Sequence, residues 1–243
     1  TNAIMLKNRR IGLSQSGVVQ AFNKHGRREM LEWCDKAYDH VQELDKEFSD
    51  WLCVPRSVRT TSIKPSGTVS LLNGSTPGIH YPEAEYYIRR IRFSVGNVIL
   101  KAIEEAGYHV EKDAYSPNTM VASFPVHEPF FQKGKSEATM WEQLEIAAAY
   151  QHYWADNSVS VTVTFNGDEA KDIKTALEMY ESRLKAVSFL RFQETGYEQA
   201  PYEPITKEQY EEMSKNITPI DRIETEEQGA GTVFCDGDSC EIV

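Results

Sequence analysis

The stretch Val159-Ser160-Val161-Thr162-Val163-Thr164-Phe165 alternates apolar residues with hydroxyl-bearing ones, the two-residue period of a strand with one buried face. Helical patterns flank it. Thr139 to Trp154 precedes it, and the turn Asn166-Gly167-Asp168 opens a helix that puts Ile173, Leu177, Tyr180 and Leu184 on its apolar face. Val187 to Phe192 then reads as another strand. Strands joined through helices of ten or more residues pair in parallel by right-handed crossovers. That constrains this chain more than any other feature and makes its fold class α/β. Pattern alone leaves open sheet and barrel both standing.

The rest of the chain follows suit. Glu29 to Trp51 is a long helix, with Met30, Cys34, Ala37, Val41, Leu44 and Phe48 at helical spacing and Pro55 punctuating its end. Val58 to Ile63 is a short strand stopped by Lys64-Pro65-Ser66-Gly67. A brief helix through Val69, Leu71 and Leu72 closes at Asn73-Gly74. Ser94 to Ala106 reads as helix up to Gly107, Thr119 to Phe124 as a strand closed by Pro125, Ala200 to Pro204 as a connection, and Lys207 to Lys215 as a small polar helix. No internal repeat has a fixed period.

A chain of 243 residues supports one sizeable core with a tail. Its net charge of −11 argues against a duplex-binding surface and against an anionic membrane surface, and no apolar run is long enough to span a bilayer. No nucleic acid and no membrane is therefore expected as a partner. The first residues have neither a signal-peptide core nor an initiator Met, so the chain reads as a piece of something longer, with the cytoplasm as its expected location. From Asp221 the character changes. Residues 221–243 hold seven acids and one Arg, with three glycines and few apolar residues. Such a segment cannot bury enough surface to offset its ordering entropy, so a mobile tail is expected there, distinct from residues 1–220.

Cys34 and Cys53 read as small buried hydrophobes. Cys235 and Cys240 differ: Cys235-Asp236-Gly237-Asp238-Ser239-Cys240 places two thiols on a Gly-bearing segment that builds no core. Such a pair closes a disulfide with little backbone strain. A metal site would want two further thiolates or imidazoles, and the tail offers none; no metal is expected. A fortuitous exposed pair is the plain alternative.

The strongest internal signal is Lys64-Pro65-Ser66-Gly67-Thr68-Val69-Ser70. It follows a strand and opens a helix, where unpaired N–H groups and the helix dipole favour an anion. Gly67 lets an anion approach the backbone, and Ser66, Thr68 and Ser70 add hydroxyl donors. The same wording also fits an ordinary Ser/Thr-capped helix after a proline turn. Other candidates weigh less. Arg89, Arg90 and Arg92 fit a solvated helix face or a salt-bridged cluster better than a phosphate-steering group. His80 fits a hydrogen-bonded structural histidine. Tyr150, Tyr153 and Trp154 fit the core. The Gly12 and Gly17 pair lacks the Gly-x-Gly spacing of a dinucleotide fingerprint.

Three segments together carry a resemblance. The run from Thr60 to Pro82, including Asn73-Gly74-Ser75-Thr76-Pro77-Gly78-Ile79-His80-Tyr81-Pro82, resembles the substrate-phosphate loop of ribonucleotide reductase large subunits. Asn8-Arg9-Arg10-Ile11-Gly12-Leu13-Ser14-Gln15-Ser16-Gly17 is similar to that family's strand-to-helix turn. Tyr153-Trp154-Ala155-Asp156-Asn157-Ser158-Val159-Ser160-Val161-Thr162 is similar to its late barrel strand. The wording of Pro65 to Ser70, its surroundings and the absence of a tyrosine pair in the tail resemble the adenosylcobalamin-dependent class that acts on ribonucleoside triphosphates. A diphosphate-specific reductase of another class is the near alternative.

The resemblance implies the later half of a ten-stranded α/β barrel and reduction of the ribose 2′-hydroxyl by a radical route. It implies that Pro65, Ser66, Gly67, Thr68, Val69 and Ser70 bind substrate phosphates, with hydroxyls from the Ser and Thr residues and the main chain from the rest. It implies that Cys235 and Cys240 form a shuttle dithiol, re-reduced by thioredoxin. Asp236, Asp238 and Glu241 would disfavour thiolates until the tail docks. Adenosylcobalamin is the implied cofactor, with most contacts upstream. The family's radical cysteine, its Asn and Glu neighbours and its reducible pair have no counterpart here. The expectation is therefore a chain inactive without its missing N-terminal part, with a non-catalytic nucleotide-binding or thioredoxin-docking fragment as the alternative from another class.

Overall fold

The computed structural model describes residues 2–67, 69–192, 198–220, 235–236 and 239–240. Its helices are α1 (Asn2–Asn8), α2 (Val18–His25), α3 (Arg27–Trp51), α4 (Val98–Glu105), α5 (Met140–Tyr153), α6 (Ile173–Tyr180) and α7 (Lys207–Ser214). Its strands are β1 (Arg10–Leu13), β2 (Arg59–Thr61), β3 (Tyr86–Ser94), β4 (His109–Lys112), β5 (Thr119–His127), β6 (Thr162–Phe165), β7 (Ser188–Arg191), β8 (Tyr202–Pro204), β9 (Cys235–Asp236) and β10 (Ser239–Cys240). Short 3₁₀ helices cover Val69–Asn73 and Gly167–Asp172. The chain divides into two compact units, 1–87 with 127–196, and 88–126 with 197–243.

The first unit is parallel, as the crossover argument requires. β1 pairs with β2, and β6 with β7, both in parallel. A parallel bridge between Ile63 and Val159 joins the two pairs, giving a row β1-β2-β6-β7. Among the described residues this row is open, with no closed barrel. Its core gathers Ile63, Val159 and Val163 from the strands with Val18, Cys34, Met140, Leu144 and Tyr150 from the helices. α5 buries Met140, Gln143, Leu144 and the run from Ile146 to Tyr150, while Glu142 and Glu145 pair with Lys133 and Arg183 at its edge. It starts at a capping box in which Thr139 and Glu142 satisfy each other's backbone N–H groups.

The second unit departs from the parallel expectation. Its sheet runs β4-β5-β3-β8, and β4 pairs with β5 antiparallel. The short link between them, residues 113–118, has no room for a crossover helix. Helix was expected from Ser94, but α4 starts at Val98 behind an Asn97 cap, and Ser94 ends β3. Arg89, Arg90 and Arg92 therefore lie on a strand, not on a helix face. β5 continues through Pro125, which lies past the end of β4 and so breaks no bond of that pair. The 200–204 connection is the strand β8, whose neighbour is β3. No helix of the described residues is long and apolar enough to cross a membrane.

Several burial expectations need correction. Cys34 is buried, but Cys53 is exposed, on a left-handed backbone turn just past α3. Tyr150 and Trp154 are core, whereas Tyr153 is partly exposed. On α6 the buried positions are Ala176 and, as expected, Tyr180, whereas Leu177 faces outward. Phe48 is exposed, and its neighbour Ser49 is buried, where the Arg9 guanidinium reaches its hydroxyl.

Candidate functional site

The loop after β2 folds back on itself between Lys64 and Gly78. Ser66 takes a left-handed φ of 47°, which side-chain-bearing residues seldom adopt without support. Three bonds supply it. The Ser66 carbonyl accepts from Ser70 N–H at 3.0 Å. Its hydroxyl accepts from Gly78 N–H at 3.0 Å and shares a 2.6 Å bond with the Ser16 hydroxyl. Gly78 also has positive φ, and a Cβ there would meet the Lys64 carbonyl oxygen at 2.6 Å. Only glycine permits that approach.

Gly67 stands at the open end of the turn, where a Cβ would meet nothing within 4 Å. Lys64, Pro65 and Val69 are exposed, and Ser70 is buried. The Ser70 hydroxyl has no partner among the described residues, nor has the buried Thr76 hydroxyl on the same loop. An unpaired buried hydroxyl costs about 1–3 kcal/mol, and the bonds of the loop itself offset neither cost. Thr68 lies outside the described residues.

One expectation changes here. Val69–Asn73 is a five-residue 3₁₀ helix, too short for a substantial macrodipole. Any hold on an anion rests on loop N–H groups and hydroxyls instead. Pro65, Ser66, Gly67, Val69 and Ser70 lie together in one turn.

The β1–α2 turn was not read as part of this site. The Ser14 hydroxyl accepts from Lys64 N–H at 2.9 Å. Gly17 and Val18 N–H groups donate to the carbonyls of Thr76 and Gly78. Gln20 accepts from Thr76 N–H at 3.2 Å and donates to the Gly74 carbonyl at 3.1 Å and to Glu128 Oε2 at 2.5 Å. Glu128 is buried and takes a second bond from the Tyr87 hydroxyl. Burial pushes its carboxyl above the ordinary range, against the pull of Tyr87 and Gln20. The sequence signal for it is the Ser14-Gln15-Ser16-Gly17 run within the segment similar to a family turn.

His80 is structural, as expected. Its Nδ1 faces the Pro77 carbonyl at 3.1 Å and its Nε2 accepts from Thr162 N–H at 3.2 Å, an arrangement that fits only the neutral ring. Burial first, then the charge of Lys135, holds its pKa below the ordinary value, with the Pro77 bond opposing. In the second unit the three arginines form the bonded cluster anticipated as one alternative. Arg89 stacks on Tyr202 at 4.4 Å, Arg90 pairs with Glu203, and Arg92 pairs with the buried Asp113.

Cys235 and Cys240 are described by their backbone. They stand opposite each other in the antiparallel pair of β9 and β10. Two cavities are found in the first unit. One of about 310 Å³ is apolar and lined by Leu144, Tyr180 and Phe189 among others; one of about 550 Å³ lies beside Arg27, Glu145, His152 and Arg183. Neither is lined by the 64–78 loop, whose Gly67 faces open space. No group of three or more metal-ligating side chains occurs among the described residues.

Comparison with known proteins places these features in context. No protein-family model matches the chain. It is 42 % identical over 250 residues to a probable adenosylcobalamin-dependent ribonucleoside-triphosphate reductase of Dictyostelium discoideum, covering 100 % of this chain and 33 % of that protein. It is 43 % identical over 249 residues to an adenosylcobalamin-dependent ribonucleoside-triphosphate reductase of Euglena gracilis, covering 99 % and 34 %. A solved B12-dependent (class II) ribonucleotide reductase superposes with a TM-score of 0.82 at 32 % identity, over 90 % of this chain and 35 % of that one. The chain thus spans about a third of the length of the relatives it matches, and it is similar to their C-terminal part.

Proposed function

We propose that this chain works as the C-terminal part of an adenosylcobalamin-dependent ribonucleoside-triphosphate reductase, which reduces the ribose 2′-hydroxyl to supply deoxyribonucleotides in the cytoplasm. The observation that carries the reading is similarity along the whole of this chain to about a third of the length of reductases of that name, joined to a loop whose Gly67 faces open space. In that turn Pro65, Ser66, Gly67, Thr68, Val69 and Ser70 take the substrate's phosphates. The open space over Gly67 admits the phosphate oxygens, and loop N–H groups with the Ser66 hydroxyl donate to them. The row β1-β2-β6-β7 contributes to a ten-stranded α/β barrel completed by the rest of the enzyme, and residues 221–243 form the redox tail.

Adenosylcobalamin, when bound, supplies the radical that starts the reaction. Neither of the two cavities of the first unit described above is large enough to enclose a corrinoid. Its contacts belong to the remainder of the enzyme, as does the cysteine that carries the thiyl radical.

The tail closes the cycle. One tail thiolate attacks the active-site disulfide, forming a mixed disulfide and releasing one active-site thiol. The second tail thiol displaces the other. The tail leaves as a Cys235–Cys240 disulfide, two electrons poorer, and the dithiol of thioredoxin reduces it again.

Gly67→Ala in the full-length reductase tests the phosphate site. The added methyl meets no protein atom and needs no left-handed backbone, so thermal stability should hold. KM for the ribonucleoside triphosphate should rise about tenfold, the loss of roughly 1.4 kcal/mol of binding. An unchanged KM would remove the turn from the substrate site. Comparing di- and triphosphate substrates in the same assay checks the substrate level.

A further inference from the structure

We propose that Ser16 and Gln20, on the β1–α2 turn and the first turn of α2, are positioning residues for the substrate's phosphates, acting through the 64–78 loop. The inference rests on the reading of that loop given above.

Ser66 is the pivot. A serine hydroxyl carries one proton and two lone pairs. One lone pair is taken by Gly78 N–H. When Ser16 donates across their 2.6 Å contact, it takes the second. The Ser66 proton is then unspent, on the residue next to Gly67, where space is open. The two bonds also hold the hydroxyl against rotation and support the left-handed backbone of Ser66. Without the Ser16 hydroxyl the Ser66 hydroxyl is free to turn, and its aim at an anion is lost.

Gln20 does the same for the other end of the loop. Its amide can sit either way round, and Glu128 decides which. An ionised carboxylate only accepts, so it draws the Gln20 NH₂ toward itself and leaves Oε1 for Thr76 N–H. The same NH₂ reaches the Gly74 carbonyl. Together with the main-chain bonds from Gly17 and Val18 to Thr76 and Gly78, both ends of the loop are tied to residues 14–20. The loop then meets a phosphate already in shape, which spares the ordering cost of binding.

The test uses the full-length reductase with Ser16→Ala, Ser16→Thr and Gly67→Ala, measuring kcat, KM for the ribonucleoside triphosphate, and inhibition by inorganic triphosphate and by the phosphate-free nucleoside. We expect Ser16→Ala to raise KM about fivefold and to weaken inorganic triphosphate equally. Its kcat and its inhibition by the nucleoside should stay within about twofold, and Ser16→Thr should restore KM. A Ser16→Ala KM within twofold of the parent, while Gly67→Ala raises it, would overturn the positioning role and leave the loop reading standing. No change in either variant would fell the loop reading itself. Equal loss toward nucleoside and triphosphate, or no rescue by threonine, would mean general damage and would also overturn the proposal. Gln20→Ala, compared with Gln20→Glu, extends the test to the second clamp, with weaker inorganic triphosphate binding expected in both.

Discussion

Asp156 and Thr61 hold each other in both directions: Thr61 N–H donates to Asp156 Oδ1 at 2.9 Å, and Asp156 N–H donates to Thr61 Oγ1 at 3.1 Å. The threonine's one proton is given to the Trp154 carbonyl at 2.6 Å. Thr60 adds its N–H and its hydroxyl to the same carboxylate. β2 is thereby fastened to the 154–157 turn, two residues before Ile63 meets Val159. The 64–78 loop hangs from the end of that fastened strand.

Asp156→Asn keeps the size of the side chain and replaces one acceptor oxygen with a donor facing N–H groups. Charged hydrogen bonds and a stranded donor together are worth roughly 2–4 kcal/mol. The melting temperature of the chain should therefore fall by on the order of 10 °C, with a lower urea midpoint at unchanged slope. A shift under 2 °C, about half a kcal/mol on that scale, would show that the carboxylate is not what joins the two strand pairs.

His80 predicts a pH dependence of defined sign. Its folded pKa lies below the ordinary 6.5, so the unfolded state binds the proton more readily. Stability is then fullest above the unfolded value and is lost as pH falls through 6.5 toward the folded pKa. Glu128, held above its ordinary 4.5, acts oppositely: its contribution is present below 4.5 and lost as pH rises through the folded value. The comparison that isolates His80 is the parent against His80→Gln, whose amide oxygen can still accept from Thr162 N–H. The stability difference between pH 7.5 and 5.5 should shrink in the variant, by denaturant unfolding at each pH. An identical difference in both proteins would exclude His80 as its source.

Much of this was legible in the sequence because the first unit obeys local rules. The Val159–Phe165 alternation, the capped α5 and the Asn166-Gly167 turn each signal their own structure, and their order dictates parallel pairing. The turn from Lys64 to Ser70 was legible because its Pro, Gly and Ser punctuate the chain locally. The clamp was not. The Ser16–Ser66 contact joins residues fifty positions apart, and no local pattern encodes such a meeting. β3 was missed because Arg89, Arg90 and Arg92 interrupt its apolar alternation. Their partners, among them Glu203, Asp113 and the 199–201 carbonyls, come from distant segments. Ser49 replaced Phe48 on the buried face of α3 for the same reason, since the Arg9 guanidinium that reaches it comes from outside the helix.

In the second unit Gly107 is required twice over. Its φ is +91°, and a Cβ there would meet the Asn216 carbonyl oxygen at 2.5 Å. Gly107→Ala should cost about 2 kcal/mol and push the 216–218 segment off the end of α4, where Thr218 N–H bonds the Ala106 carbonyl. Hydrogen exchange reads this directly. The Thr218 amide should lose protection while amides of the β6–β7 pair keep theirs; unchanged protection at Thr218 would refute the close approach.

The cysteine pair yields the sharpest functional prediction, because its backbone register constrains its chemistry. Residues directly opposite in an antiparallel pair have Cα atoms about 4.5–5.5 Å apart, within the roughly 4.4–6.8 Å that disulfides span. Cys235 and Cys240 hold that register, so their backbone spacing is compatible with the shuttle disulfide proposed above. In the complete reductase Cys235→Ser and Cys240→Ser should each abolish steady turnover driven by thioredoxin. The prereduced enzyme should still complete one turnover, since the first reduction draws on the active-site thiols alone. The double variant should be no worse than either single one, because one thiol without its resolving partner traps the mixed disulfide and passes on no electron pair. A small dithiol that enters the active site by itself should restore part of the rate in all three. Loss of the single turnover along with the steady rate would place the two cysteines in the reaction itself, or in folding, and the shuttle role would have to be given up.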